Sequence, residues 1–209
     1  MSNQYKVIDE KTWNRAMHCM VFRNSIEPAF CVTFEADITN FRHTVKEQGL
    51  SFTMAMVYAI CKCANEIEAF RYRFADGQIV LFDRSDTAFT YLNKETELFK
   101  VVNVPFIDDL KEYCELALKT ADEQKEYFTG PLGNDVFQCS PMPWVTYTHI
   151  SHTNAGKKDN ATPLFDWGKY YEKDGRTMIP VSVQAHHSFV DGLHIGQFAE
   201  KLQNYFDEC

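Results

Sequence analysis

Apolar and polar positions change rhythm several times along the chain, and each rhythm predicts an element. In WNRAMHCMVFRN, residues 13–24, Trp13, Met17, Met20 and Val21 recur at helical spacing, with Thr12 placed to cap the first turn. AFCVTFEAD, 29–37, alternates: Phe30, Val32 and Phe34 share one face, Cys31 and Thr33 the other, as in a strand. ITNFRHTVKEQG, 38–49, predicts a short helix ended by Gly49. SFTMAMVYAICKCANEI, 51–67, is apolar on more than one side and predicts a more buried helix. FRYRF and IVLFD are joined through Ala75-Asp76-Gly77-Gln78, and Asp-Gly between apolar runs predicts a hairpin.

AFTYLN, 88–93, predicts another strand. Pro105 opens a polar amphipathic helix over 106–128. VFQCS and WVTYTHISH, 136–140 and 144–152, predict strands flanking Pro141 and Pro143. TMIPVSVQAHH, 177–187, predicts a long strand, and HIGQFAEKLQNYF, 194–206, a closing helix. Strands and helices mix without regular alternation. The expected class is therefore α+β, a mixed sheet with helices packed on it, in one domain over residues 1–209.

Composition narrows the function. With 45 % hydrophobic residues in 209, the chain can bury a sizeable core. Its formal net charge of -8 argues against nucleic acid or an anionic membrane as partner. An anionic cofactor would need a local basic patch, and Lys157, Lys158, Lys169, Lys173 and Arg176 fall in one part of the chain. The longest apolar run, residues 54–61, ends at Lys62, well short of the roughly 20 residues a membrane helix requires. The first residues lack the basic and apolar regions of a signal peptide, so the expected location is the cytoplasm. The seven cysteines, irregularly spaced, are expected to be free thiols rather than zinc ligands. No glycine-rich nucleotide motif follows a strand.

The densest chemistry lies in QAHHSFVDGLHIGQF, residues 184–198. On a strand, His186 and His187 point to opposite faces, so one is expected to be structural and the other to face a cavity. Asp191-Gly192 reads as a turn from which the last helix starts. Three readings fit these residues. His187, Asp191 and His194 could hold a metal, although a strand becoming a loop in mid-motif is a poor ligand frame. The histidines could be satisfied core groups. Or one histidine could take a proton from a hydroxyl near neutral pH, with Asp191 bracing the loop through an arginine.

HHSFVDG fits the HHxxxDG pattern of the CoA-dependent acyltransferases. Together with WNRAMHCMVF, DIT, NKETELF, SPMPWV and GKYY, in order and at similar spacing, the chain resembles the single-lobed chloramphenicol acetyltransferases over nearly its whole length. The resemblance implies a two-layer sandwich that assembles as a homotrimer, with active sites between subunits. It implies acetyl-CoA as co-substrate, no metal, and a small hydroxylated acceptor. His187 would be the general base and Ser140 the oxyanion donor, with Asp191 paired to Arg15 in support. Acceptor positions would be Phe22, Ile26, Phe30, Thr90, Phe99 and Ile150, and the CoA tunnel would pass Trp144, Lys169 and Tyr170.

The match departs at definite places. Ala185 and Leu193 stand where the family prefers bulkier or aromatic residues, changes expected to touch packing only. Phe22 replaces a phenol, His152 a pocket leucine, and Ser51 a lysine near the cofactor phosphates. Asp166 replaces a threonine near the tetrahedral intermediate, where an unpaired carboxylate would repel an oxyanion. These changes leave two alternatives to acetylation of chloramphenicol: the same reaction on another small alcohol, or a drug-binding scaffold without turnover.

Overall fold

The computed structural model describes residues 3–128, 133–152 and 159–209. In chain order the elements are β1 (Tyr5–Val7), α1 (Ala16–Arg23), β2 (Ala29–Asp37), α2 (Thr39–Glu47), α3 (Phe52–Asn65), a 3-10 turn (Glu68–Arg71), β3 (Tyr72–Ala75) and β4 (Gln78–Phe82). Then come β5 (Asp86–Leu92), β6 (Phe99–Val104), α4 (Leu110–Glu123), β7 (Val136–Cys139), β8 (Leu164–Trp167), β9 (Tyr171–Lys173), β10 (Arg176–His186) and α5 (Gly192–Asp207). The class is α+β with a mixed sheet, as expected.

A small sheet, β1-β4-β3, accompanies a large one ordered β2-β10-β8-β7-β5-β6, with β9 added beside β10. β7 runs parallel to β5 and β8, while the other pairs are antiparallel. Helices α2, α3, α4 and α5 contact strands of the large sheet, one face of which carries aromatic rings. There Phe198 of α5 meets Phe34 of β2 at 6.3 Å and Phe165 of β8 at 5.1 Å, and Phe165 also meets Phe137 at 5.7 Å. These rings are fully buried apart from Phe34. Truncating such a ring costs about 3–5 kcal/mol. α3 is buried along most of its length, as its uniform apolar character requires. The opposite sheet face is polar: Thr33 of β2 bonds Ser182 of β10 at 2.7 Å, and Asp166 of β8 lies in register with Ser182.

The hairpin at 75–78 forms as expected, with Asp76 and Gly77 both at positive φ. Arg73, fully buried, ties it to the large sheet through the carbonyls of Asn134 and Val136, each at 2.9 Å. Burial lowers its pKa to about 9.

Several expectations are corrected. α1 starts only at Ala16. Thr12 does not cap it, because its hydroxyl bonds Asp9 within a preceding turn. The stripe of Met17, Met20 and Val21 exists but is exposed. α4 begins at Leu110, because the Asp109 side chain accepts from Glu112 N–H at 2.8 Å; Pro105 lies outside the helix. It ends at Glu123, after which the chain turns back so that Tyr127 pairs with Val101 on β6. Residues 144–152 form no strand: Met142 N–H binds the Trp167 carbonyl, and the segment then leaves the sheet largely exposed. β6, β8, β9 and the short β1 were not anticipated. α5 begins two residues before its expected start, at Gly192. Leu193 is 68 % exposed, so its replacement does not touch the core of this chain.

Candidate active site

β10 carries the chain to His186, and the next residue leaves the ladder. His187 N–H binds the Pro28 carbonyl at 2.8 Å. The two histidines part company as strand geometry requires. His186 is buried beside Phe74 and Phe189, with ring centroids at 5.3 and 5.9 Å. His187 is half-buried, stacked on Phe22 at 3.9 Å and tilted against Phe30 at 4.7 Å.

The protonation pattern of His187 follows from its neighbour. Its Nδ1 lies 3.1 Å from the Val190 carbonyl oxygen. A carbonyl only accepts, so Nδ1 carries the proton and the neutral ring keeps its lone pair on Nε2. That carbonyl is held by the turn into α5. Asp191 caps the helix, its side chain accepting from Leu193 N–H at 3.0 Å. Asp191 N–H donates back to Nδ1 of His194 at 3.1 Å, closing a capping box. Arg15, at the start of α1, reaches Asp191 with Nη1 at 3.0 Å from Oδ2.

Electrostatics match this arrangement. Burial pushes the Asp191 carboxyl up, but the Arg15 hydrogen bond and the charges of His194 and Arg15 outweigh it and hold its pKa below the ordinary value. Burial lowers His194, in keeping with an Nδ1 that accepts a hydrogen bond. Among the described residues no group of His, Cys, Asp and Glu is placed to hold a metal, and His194 works as a helix cap.

Ser140 belongs to a different region. It follows β7, with its N–H on the Phe165 carbonyl at 2.9 Å. It lines a cavity of 830 Å³ together with Thr90, Phe99, Trp144, Ile150 and His152. Ser51 also borders this space. Neither His187, nor Phe22 and Phe30 against its ring, nor Ile26 lines it. The sheet register explains why. Ser140 sits level with Asp166, which pairs with Ser182; His187 is five residues further along β10 and two strands across. At ordinary strand spacings the two backbones are roughly 20 Å apart. The expected acceptor residues thus fall into two groups that one chain does not join.

Trp144 is 63 % exposed at the cavity mouth. Lys169 and Tyr170 lie nearby on the surface: Lys169 N–H binds the Val145 carbonyl at 2.9 Å, and Tyr170 carries Arg42 at 4.8 Å. Gly168 makes this approach possible, because a Cβ there would come within 2.8 Å of the Val145 oxygen and of the Pro180 ring. The basic patch is weaker than its sequence suggests. Lys173 pairs with Glu35 at 3.0 Å and Arg176 with Asp37 at 3.6 Å. Lys157 and Lys158 lie outside the described residues.

Asp166 is the second carboxylate of note. It is fully buried, and its Oδ2 lies 2.6 Å from Nε2 of His152. Burial raises its pKa, and the hydrogen bond and charge of His152 oppose that rise only in part. Its Oδ1 is buried with no hydrogen-bond partner among the described residues. An arrangement of that kind costs about 1–3 kcal/mol. Of the alternatives open to this carboxylate, repulsive if unpaired, the structure shows it paired, and two separate departures from the family pattern meet in one contact. Sequence reading found both residues but not their contact. It also missed the Val190 carbonyl, because a backbone group leaves no signal in residue type, and the capping role of His194, which stands three residues after an N-cap aspartate.

A family model described as chloramphenicol acetyltransferase matches residues 3–203. Chloramphenicol acetyltransferase 2 of Escherichia coli is 34 % identical over 94 % of each chain, and that of Haemophilus influenzae 31 % over 96 % of each. A solved chloramphenicol acetyltransferase superposes with a TM-score of 0.89 at 28 % identity, covering 97 % of this chain and 100 % of that one. A probable dihydrolipoamide acetyltransferase from Listeria monocytogenes has a TM-score of 0.65 at 16 % identity over 96 % of this chain and 93 % of that one, a likeness of fold.

Proposed function

Because the chain belongs to the chloramphenicol acetyltransferase family and is therefore an acyltransferase, we propose that it moves the acetyl group of acetyl-CoA onto a hydroxyl of chloramphenicol. The observation that carries this reading is the 3.1 Å approach of His187 Nδ1 to the Val190 carbonyl oxygen, from which a proton on Nδ1 and a free base at Nε2 follow. Nε2 takes the proton of the acceptor hydroxyl as its oxygen attacks the thioester carbonyl. A carbon–oxygen bond forms and the carbonyl becomes a tetrahedral oxyanion. The Ser140 hydroxyl donates to that oxyanion. When the carbon–sulfur bond breaks, the imidazolium returns its proton to the CoA thiolate. Electrons and protons balance without a metal. The Arg15–Asp191 pair does not touch the imidazole. It holds the turn whose Val190 carbonyl fixes the tautomer.

Base and oxyanion donor stand too far apart in one chain, so the working site requires two copies, His187 from one and the Ser140 cavity from the next. The exposed Met17, Met20, Val21 and Ile26 beside the His187 region give an apolar surface for that contact. The assembly we infer is a homotrimer, the closed form of such a head-to-tail arrangement that the family resemblance implies. Thr90, Phe99 and Ile150 would contact the acceptor from the cavity side, Phe22, Ile26 and Phe30 from the histidine side. Trp144, Lys169 and Tyr170 would border the CoA path. Among the described residues no helix is long and apolar enough to cross a membrane, and we place the reaction in the cytoplasm.

Release of the CoA thiol from acetyl-CoA, followed with a thiol reagent with and without chloramphenicol, tests the reaction. Chloramphenicol-dependent release is expected. Release only with other alcohols would move the acceptor, a reading that His152 in the cavity wall, with Asp166 behind it, keeps open. Tight binding of the drug with no release would make the protein a sequestering scaffold. Mixing refolded His187→Ala and Ser140→Ala proteins tests the shared site. Each is expected to be inactive alone, and random assembly should restore about a quarter of the wild-type rate, since half the histidine sides meet half the serine sides. No recovery would place both groups in one chain's site.

A further inference from the structure

The pairing of His152 with Asp166 does more than neutralise a buried carboxylate. Asp166 is fully enclosed, whereas the His152 side chain is 19 % exposed and borders the same cavity as Ser140. A pair used only for packing would be enclosed on both sides. Here the carboxylate lies behind and the imidazole forms the wall. With Nε2 engaged at 2.6 Å, the one polar atom the ring has left is Nδ1. The carboxylate fixes the ring plane, and with it the direction of Nδ1, in the way an aspartate orients a histidine elsewhere in protein chemistry.

The ligand group that suits such an atom can be deduced. In the neutral ring bonded to an ionised Asp166, Nδ1 is an acceptor. In the cation, or with the proton held on Asp166, Nδ1 is a donor. A hydroxyl can donate or accept, and so it meets Nδ1 in every protonation state of the pair. Among the other residues bordering this cavity are the apolar Phe99, Trp144 and Ile150, so a fixed polar atom among them orients rather than merely solvates.

We propose that His152 is a specificity-determining residue of the acceptor pocket, positioned by Asp166, and that it recognises a second, non-reacting hydroxyl of a diol acceptor. This rests on the acetyltransferase reading given above and names a feature of the acceptor. His187 acts on the hydroxyl that is acetylated, and His152 on the one that is kept.

The test compares chloramphenicol, a diol, with its analogue in which the secondary hydroxyl is replaced by hydrogen. Steady-state acetylation is measured for the wild type, His152→Leu, His152→Gln, Asp166→Asn and the double variant His152→Leu with Asp166→Asn. His152→Leu is expected to raise KM for chloramphenicol by about tenfold, with a much smaller change in kcat, and KM for the analogue by less than about threefold. Asp166→Asn keeps an acceptor for Nε2 and should act in the same direction more weakly. The double variant should be no worse than His152→Leu alone, because Asp166 acts through the ring. His152→Gln, which can still offer a polar atom, should recover part of the discrimination. Equal losses on both compounds, unchanged KM values, or additive effects in the double variant would overturn the proposal.

Equilibrium binding of the two compounds to the same proteins, measured by calorimetry, separates this from failure of the enzymatic reading. Preference for the diol that disappears in His152→Leu, without turnover in the wild type, would remove the reaction and leave the pair in place. No preference, or no binding of either compound, would overturn the pair as well.

Discussion

Asp191 and Asp166 are both partly or wholly enclosed carboxylates with a histidine neighbour, yet the protein treats them in opposite ways. At Asp191, burial is outweighed by the Arg15 hydrogen bond and by positive charge, and the acid is held ionised. At Asp166, burial dominates, the single bond from His152 does not compensate, and the pKa rises. At the first, both carboxylate oxygens are engaged, Oδ1 by Leu193 N–H and Oδ2 by Arg15 Nη1, although Nε and Nη2 of Arg15 have no partner among the described residues. At the second, Oδ1 is buried without a partner among the described residues, behind a histidine that borders a cavity. We read the difference as one between a region that holds the proposed base still and a region that receives a ligand.

The sharpest way to break this contrast is at the base. His187→Ala should lower turnover by about a thousandfold while leaving the assembly intact by light scattering, since general base catalysis supplies on the order of 10² to 10⁴. Activity near wild type would remove the base assignment. Ser140→Ala, on the receptive side, should lower kcat by about a hundredfold with little change in acceptor KM. If KM moved instead, Ser140 would be a binding group. Arg15→Met should cost about 1–2 kcal/mol in chemical unfolding, between the values for exposed and buried pairs. It should also lower kcat by about tenfold through a misplaced His187. Loss of stability with an unchanged kcat would show that the pair braces the fold but not the ring.

The smallest effect concerns pH and carries opposite signs in the two regions. Asp191 and His194 both have lowered pKa values in the folded chain. Each therefore contributes stability above its ordinary value that is lost as pH falls through the folded one. Asp166 is raised, so the folded state gains relative stability as pH falls and partly offsets that loss. Thermal unfolding followed from pH 7 down to about 2 should thus be steeper in Asp166→Asn and shallower in Arg15→Met than in the wild type. The same slope in all three would mean that these carboxylates do not govern acid unfolding.

Legibility in the sequence followed the locality of the forces. β2 was predicted from Ala29 to Asp37, its observed span, because strict alternation over nine residues has one solution. The hairpin at Asp76-Gly77 and the end of α2 near Gly49 were legible because positive φ is a local demand. Residues 144–152 misled because Trp144, Val145, Tyr147 and Ile150 are residue types that favour strands. Whether a strand forms depends on a partner to pair with, which residue type does not supply. The exposed stripe on α1 misled in the same manner: periodicity says which residues share a face, and not what covers it.

By itself the sequence determined the class, most elements and the family resemblance, which rest on residue type and on spacing along the chain, and through that resemblance it named Arg15 and Asp191 as a candidate pair. Only the tertiary structure decided which nitrogen of His187 carries the proton of the neutral ring, because a backbone carbonyl sets it. Only the register of β7, β8 and β10 put Ser140 and His187 in separate regions. And only folding brought His152 against Asp166, fourteen residues away, at 2.6 Å. Desolvation and hydrogen bonding act between atoms that are close in space, and a string of residues does not contain those distances until the sheet is assembled.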